Sequence, residues 1–169
     1  MKYRRRKLNM SSTYIRRMVI TVFIFIGLFQ TCIVKQSGAV EAKQFEDAQA
    51  LVEKIVAKYP QLVRLTIHAV PTGEKNSRII SCNIRKKLGK PSDPEDLEAI
   101  NKNKTVVLRE GDNLDVTAPI CNKAGIPIAA TGITLRFKKG EKEDVVVEKA
   151  KAIAKELTSA IQNAGETLW

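Results

Sequence analysis

The chain has 169 residues, of which 29 are Lys or Arg and 18 are Asp or Glu, for a formal charge of +11. Eight of those bases but only one acid fall in residues 1–42, so the other 127 residues carry 21 bases against 17 acids, an ordinary solubilising balance of +4. Aromatic residues are only 5% of the chain and do not interleave with the bases, which leaves no stacking platform and argues against nucleic acid as a partner.

The first element is a basic and then apolar leader. Arg16 and Arg17 precede Met18 to Val34, a run of 17 residues without a charge. This is short for crossing a hydrocarbon core of roughly 30 Å but ample for the apolar part of an export signal. Ser37-Gly38-Ala39 and Val40-Glu41-Ala42 then supply the small residues a signal peptidase requires. Residues 1–42 are therefore expected to be an export signal, and residues 43–169 a single domain delivered to the periplasm or secreted. The alternative is an uncleaved inner-membrane anchor formed by residues 18–34, its arginines retained inside.

Beyond the leader, Phe45, Ala48, Val52, Ile55, Val56 and Tyr59 recur at three and four residues, which predicts a helix over 41–59 closed by Pro60. Residues 62–70 alternate, with Val63, Leu65, Ile67 and Ala69 against Arg64, Thr66 and His68, and read as a strand with one apolar face. A turn from Pro71 to Asn76 leads to a second strand over 77–84. Ser92 or Asp93 can cap a short helix with Pro94 in its first turn, inside an otherwise irregular segment 85–104. Strands are expected over 105–109, 114–121 and 126–137, with a tight turn at Asn122 to Gly125. A last amphipathic helix covers 144–161. Crossover helices between strands are lacking, so a five-stranded antiparallel sheet with helices on one face, an α+β fold, fits this order.

The chain resembles the single Cache and PAS-like extracellular sensor domains over residues 43–163. The stretches that carry the resemblance are Tyr59-Pro60 into Thr66 to Pro71, Leu88 to Leu97, and the strand, hairpin and return strand from Asp115 to Leu135. It departs from the family at Ala130, where glycine is frequent, and at Asn122 and Lys123, where the turn often holds an aspartate. The resemblance implies a sheet ordered 2-1-5-4-3 with long N-terminal and C-terminal helices, and a small ligand held on the opposite face. It also implies a stand-alone sensor. No kinase, cyclase or methyl-accepting module is expected to follow, so its output is expected to pass through a membrane-bound or periplasmic protein partner.

Strand parity names the candidate site. Arg64, Thr66 and His68 oppose Val63, Leu65 and Ile67; Asp115 and Thr117 oppose Leu114, Val116 and Ala118; Thr134 and Arg136 oppose Ile133, Leu135 and Phe137. Under the family's strand order, Arg64, Thr66, His68, Asp115, Thr117 and Arg136 are expected to converge beside segment 85–104. Such a set suits a small anionic or zwitterionic ligand, because Arg offers parallel donors to a carboxylate and Asp accepts from an ammonium. The competing explanation is a solvated polar face that holds nothing.

Other chemistries have less to work with. His68 is the only histidine and no CxxC, HxxxH or HExxH spacing accompanies it, so neither a metal nor a haem cofactor is expected. Ser81 lies outside any Gly-x-Ser-x-Gly turn and Cys121 has no evident orienting partner, so no enzyme activity is expected. Cys82 and Cys121 can form a disulfide or remain buried thiols. Leu168-Trp169 can pack on the sheet edge or mark a partner contact.

Overall fold

In the computed structural model, residues 45–137, 140–165 and 168–169 are described, all within the unit Lys43–Trp169. The expected leader lies outside the described residues. No helix among the described residues is long and apolar enough to cross a membrane.

The first helix, α1 (Glu46–Lys58), places Glu46 and Asp47 at its positive end and Lys58 in its last turn, each complementing the helix dipole. Pro60 cannot donate a backbone hydrogen bond and the chain turns at once into β1 (Leu62–Ala69). A hairpin pairs β1 with β2 (Arg78–Cys82), and a single turn at Arg85–Lys87 leads toward α2 (Pro94–Lys102). The Asp93 side chain accepts from the Asp96 backbone while the Asp96 side chain accepts from the Asp93 backbone, a reciprocal cap with Pro94 in the first turn. Asn103 ends α2 in the left-handed region at φ 52°. The meander of β3 (Val106–Glu110), β4 (Asn113–Cys121) and β5 (Pro127–Arg136) follows, and α3 (Glu143–Asn163) completes the chain of elements.

All pairings are antiparallel and the order is β2-β1-β5-β4-β3, as expected. The alternation of β1 departs from the sequence pattern at one point. The register with β5 shifts between Leu62 and Arg64, a bulge that puts Leu62 into the core and leaves Val63 half-buried outside it. From Arg64 onward the expected parity holds.

One sheet face carries the core. Leu65, Ile67, Leu114, Val116, Ile133 and Leu135 meet Val52 and Ile55 of α1 and Val146, Ile153, Leu157 and Ile161 of α3. Each such side chain contributes roughly 1.5–3 kcal/mol when fully buried. Leu168 joins this cluster, Trp169 packs against it, and the Thr72 hydroxyl donates to the Trp169 carbonyl at 3.2 Å, so the C-terminal pair closes the domain's own surface. The helices do not all share one face, however. Helix α2 packs on β4 and β5 from the opposite side, where the small Ala130 and Gly132 of β5 allow a close approach and Ala99 of α2 is fully buried. The sheet is thus packed by helices on both faces, with β3 left largely exposed.

The outer edge of β2 is sealed by a side chain. Gln49 of α1 accepts from the Cys82 backbone N–H at 3.1 Å and from the Ser81 hydroxyl at 2.9 Å, and donates to the Cys82 carbonyl at 3.2 Å. Truncation to Gln49→Ala leaves the buried Cys82 peptide groups without partners. It is expected to lower unfolding free energy by about 2 kcal/mol in a urea titration. A second tie joins α1 to α3, where Lys58 and Tyr59 donate to Glu156 at 2.8 and 2.7 Å. These two hydrogen bonds hold the Glu156 carboxyl below its ordinary range.

Cys82 and Cys121 are both free thiols, which resolves the alternative the sequence left open. Burial pushes the Cys82 thiol up, away from the thiolate form.

Candidate functional site

The face of the sheet turned toward α2 is polar, and the space between them is a cavity of about 240 Å³. That is the share of roughly eight water molecules at about 30 Å³ each, room for a small metabolite and little more. Arg64, Thr66 and His68 reach it from β1, Asp115 and Thr117 from β4, Gly132 from β5, and Asp93, Glu95 and Asp96 from the start of α2. Ile79, Lys87 and Glu110 complete the lining.

Two hydrogen-bonded groups organise the floor. In the first, the Arg64 Nη2 donates to Asp115 Oδ2 at 2.7 Å and the Thr134 hydroxyl donates to Asp115 Oδ1 at 2.7 Å. The pair is largely removed from water, with side-chain exposures of 20% and 6%. Strand register sets this contact, because Asp115 pairs with Thr134 across β4 and β5 and Thr134 pairs with Arg64 across β5 and β1.

The second group links the sheet to α2. His68 Nδ1 lies 2.9 Å from Asp96 Oδ2 and 3.1 Å from the Ser92 hydroxyl, which in turn lies 2.7 Å from the Ser77 hydroxyl. An ionised carboxylate only accepts, so the Asp96 contact places a proton on Nδ1. His68 Nε2 lies 2.9 Å from the Thr66 hydroxyl oxygen, which also accepts from the Gly132 N–H at 3.1 Å. In the neutral ring Nε2 accepts the Thr66 proton. Asp96 therefore has two duties, capping α2 and fastening it to His68.

Gly132 is required by this packing. A Cβ built there would fall 2.6 Å from the Thr66 hydroxyl oxygen, a distance that forces a shift. The sequence offered no local sign of this role, since Gly132 has an ordinary strand conformation and no turn demands it.

Thr117 differs from its neighbours. It is 3% exposed and lines the cavity, yet its hydroxyl has no hydrogen-bond partner among the described residues. The hydroxyl is therefore reached from the cavity, where a guest atom, ligand or water, can bond to it.

Five of the six residues named from the sequence thus line one cavity: Arg64, Thr66, His68, Asp115 and Thr117. Arg136 does not. It follows the correct parity but pairs with Asn113 at the far end of β4, where it is exposed and outside the cavity. Asp93, expected as a helix cap, is cavity wall as well, and so are Glu95 and Asp96 of the first turn of α2. Glu110 was recoverable by extending parity along β3, because Leu108 pairs with Asp115 and so puts Glu110 on the same face. Among the described residues, no group of three or more His, Cys, Asp or Glu is placed to hold a metal ion.

No family model and no curated protein sequence matches the chain. Solved structures do match its fold. A GAF domain from A. aeolicus in an inactive state aligns with a TM-score of 0.52 at 14% identity, covering 70% of this chain and 82% of that one. The GAF domain of an Acinetobacter phosphoenolpyruvate-protein phosphotransferase gives 0.50 at 10% identity, over 72% and 83% of the two chains. Residues 122 to 287 of a methyl-accepting chemotaxis protein give 0.50 at 15% identity, over 70% and 88%. At these identities the likeness establishes a GAF/PAS-like α+β fold.

Proposed function

We propose that this protein is an exported, non-catalytic sensor domain that binds one small polar molecule between its sheet and α2. The carrying observation is the polar cavity between sheet and helix, on whose floor Thr117, a residue only 3% exposed, turns a hydroxyl toward the open space. The GAF/PAS-like fold supports this reading, as does the methyl-accepting chemotaxis protein among the structures it resembles. Export, and the extracellular Cache affiliation as distinct from the wider fold, rest on the Arg16 to Val34 leader, the small residues after it and the Asp115 to Leu135 hairpin.

The geometry narrows the ligand from the anionic or zwitterionic class the sequence suggested. Arg64 is committed to Asp115 and Arg136 lies outside the cavity, so the pair of arginines expected to clamp a carboxylate is not assembled. An amino-acid-like zwitterion fits the lining better than a bare carboxylate. Ligand binding would stabilise the cap that Asp96 and His68 form between α2 and β1, which makes the α2 surface the natural readout for a membrane-bound or periplasmic protein partner.

The test is thermal unfolding of the full chain with amino acids and short carboxylates. A ligand at about 100 times its Kd adds about 2.7 kcal/mol of apparent stability. Thr117→Val keeps the volume, removes the hydroxyl and is expected to leave basal stability within about 0.5 kcal/mol while weakening that ligand about tenfold. A ligand bound equally well by Thr117→Val would place the site elsewhere.

A further inference from the structure

Resting on the proposal that the cavity is a ligand site, we infer that it selects a small organic cation, recognised through an ammonium or guanidinium group. Five acids line the cavity, Asp93, Glu95, Asp96, Glu110 and Asp115, against Arg64 and Lys87. The internal contacts occupy part of this acidic lining. Asp115 is matched by Arg64, while Asp93 and Asp96 are engaged as the reciprocal caps of α2, Asp96 also meeting His68. What remains without a side-chain contact is Glu95 and Glu110 against Lys87. The side chains of Glu95, Glu110 and Lys87 have no ion-pair or hydrogen-bond partner among the described residues.

The uncompensated charge and the open hydroxyl lie on the same cavity. The surplus carboxylates lie on two separate elements, Glu95 in the first turn of α2 and Glu110 at the end of β3. They therefore approach a guest from different sides, as charge-assisted acceptors for a group that can only donate. Thr117, buried on the floor, supplies a hydroxyl that can accept from the same guest or donate to a polar atom farther along it. A carboxylate guest would meet the reverse arrangement, with Lys87 as its one uncommitted cation. Lys87 is then suited to the carboxylate end of a zwitterion and not to defining the ligand by itself.

The experiment is calorimetry on the full chain with agmatine and putrescine as cations, alanine as zwitterion, and acetate and malonate as anions. The expected result is saturable binding of agmatine, putrescine or alanine, with no binding of acetate or malonate. Glu95→Gln and Glu110→Gln, both at the cavity mouth and outside the core, are each expected to weaken that binding about tenfold, the loss of one charge-assisted hydrogen bond. Lys87→Gln is expected to strengthen binding of the two pure cations. Binding of acetate or malonate alone, or amine binding unchanged in both glutamine variants, would overturn the charge assignment while leaving the cavity as a ligand site. Binding of none of the five probes would overturn the assignment and count against the cavity as a site for small charged molecules.

Discussion

Asp115→Ala is expected to be among the most destabilising single substitutions on the polar face of the sheet, lowering unfolding free energy by about 3 kcal/mol. The carboxylate is buried and holds two partners, Arg64 and the Thr134 hydroxyl, each at 2.7 Å. Its removal leaves a guanidinium in a largely desolvated position with nothing to neutralise it, and a buried hydroxyl without its acceptor. The residual 20% exposure of Arg64 moderates the loss toward the lower end of the usual range for a broken buried pair, about 3–5 kcal/mol. Replacing both charges, Arg64→Leu with Asp115→Leu, is expected to recover most of the stability, because an apolar pair of similar size carries no uncompensated charge. Urea titrations of the two variants read this as a midpoint that falls and then returns with an unchanged slope. A midpoint for Asp115→Ala within error of the parent would mean the pair is solvated and contributes little.

Gly132→Ala is expected to cost about 1–3 kcal/mol through overpacking and to disable the site as well. The added methyl lands 2.6 Å from the Thr66 hydroxyl oxygen and 3.8 Å from His68 Nε2. Thr66 cannot retreat without losing the Gly132 N–H and the contact with His68, and His68 is what ties β1 to Asp96 of α2. One methyl on β5 is thereby transmitted to the helix that roofs the cavity. A double-mutant cycle separates this route from general crowding. In a Thr66→Ala background the obstructing oxygen is gone, and Gly132→Ala is expected to cost at least 1 kcal/mol less. Additive effects in the cycle would show that the methyl clashes with something other than Thr66.

Much of this architecture is legible in the residues themselves. Alternation in β1, β4 and β5 separates Leu65, Ile67, Val116 and Ile133 from Thr66, His68, Asp115 and Thr117, and the folded sheet keeps that separation. Parity tells which face a residue occupies but not how far along the strand the site extends. Arg136 lies two residues beyond Thr134 on the correct face and misses the cavity for that reason. The bulge at Val63 was hidden because Leu62 and Val63 are equally apolar, so either satisfies the core. The double role of Asp93, Glu95 and Asp96 was hidden differently. Acids at a helix start are explained by the dipole alone, and only the placement of α2 across the sheet turns them into cavity wall. That placement depends on Ala99, Ala130 and Gly132 being small, a tertiary condition that no local pattern announces.

The space between the sheet and α2 is expected to hold a guest. A crystal structure of the protein purified from its native source, without added ligand, addresses it directly. Density for a small organic molecule within hydrogen-bonding distance of Thr117, with a basic nitrogen facing Glu95 or Glu110, is the predicted result. Side chains collapsed into the cavity, with Thr117 bonded to a protein atom, would contradict it.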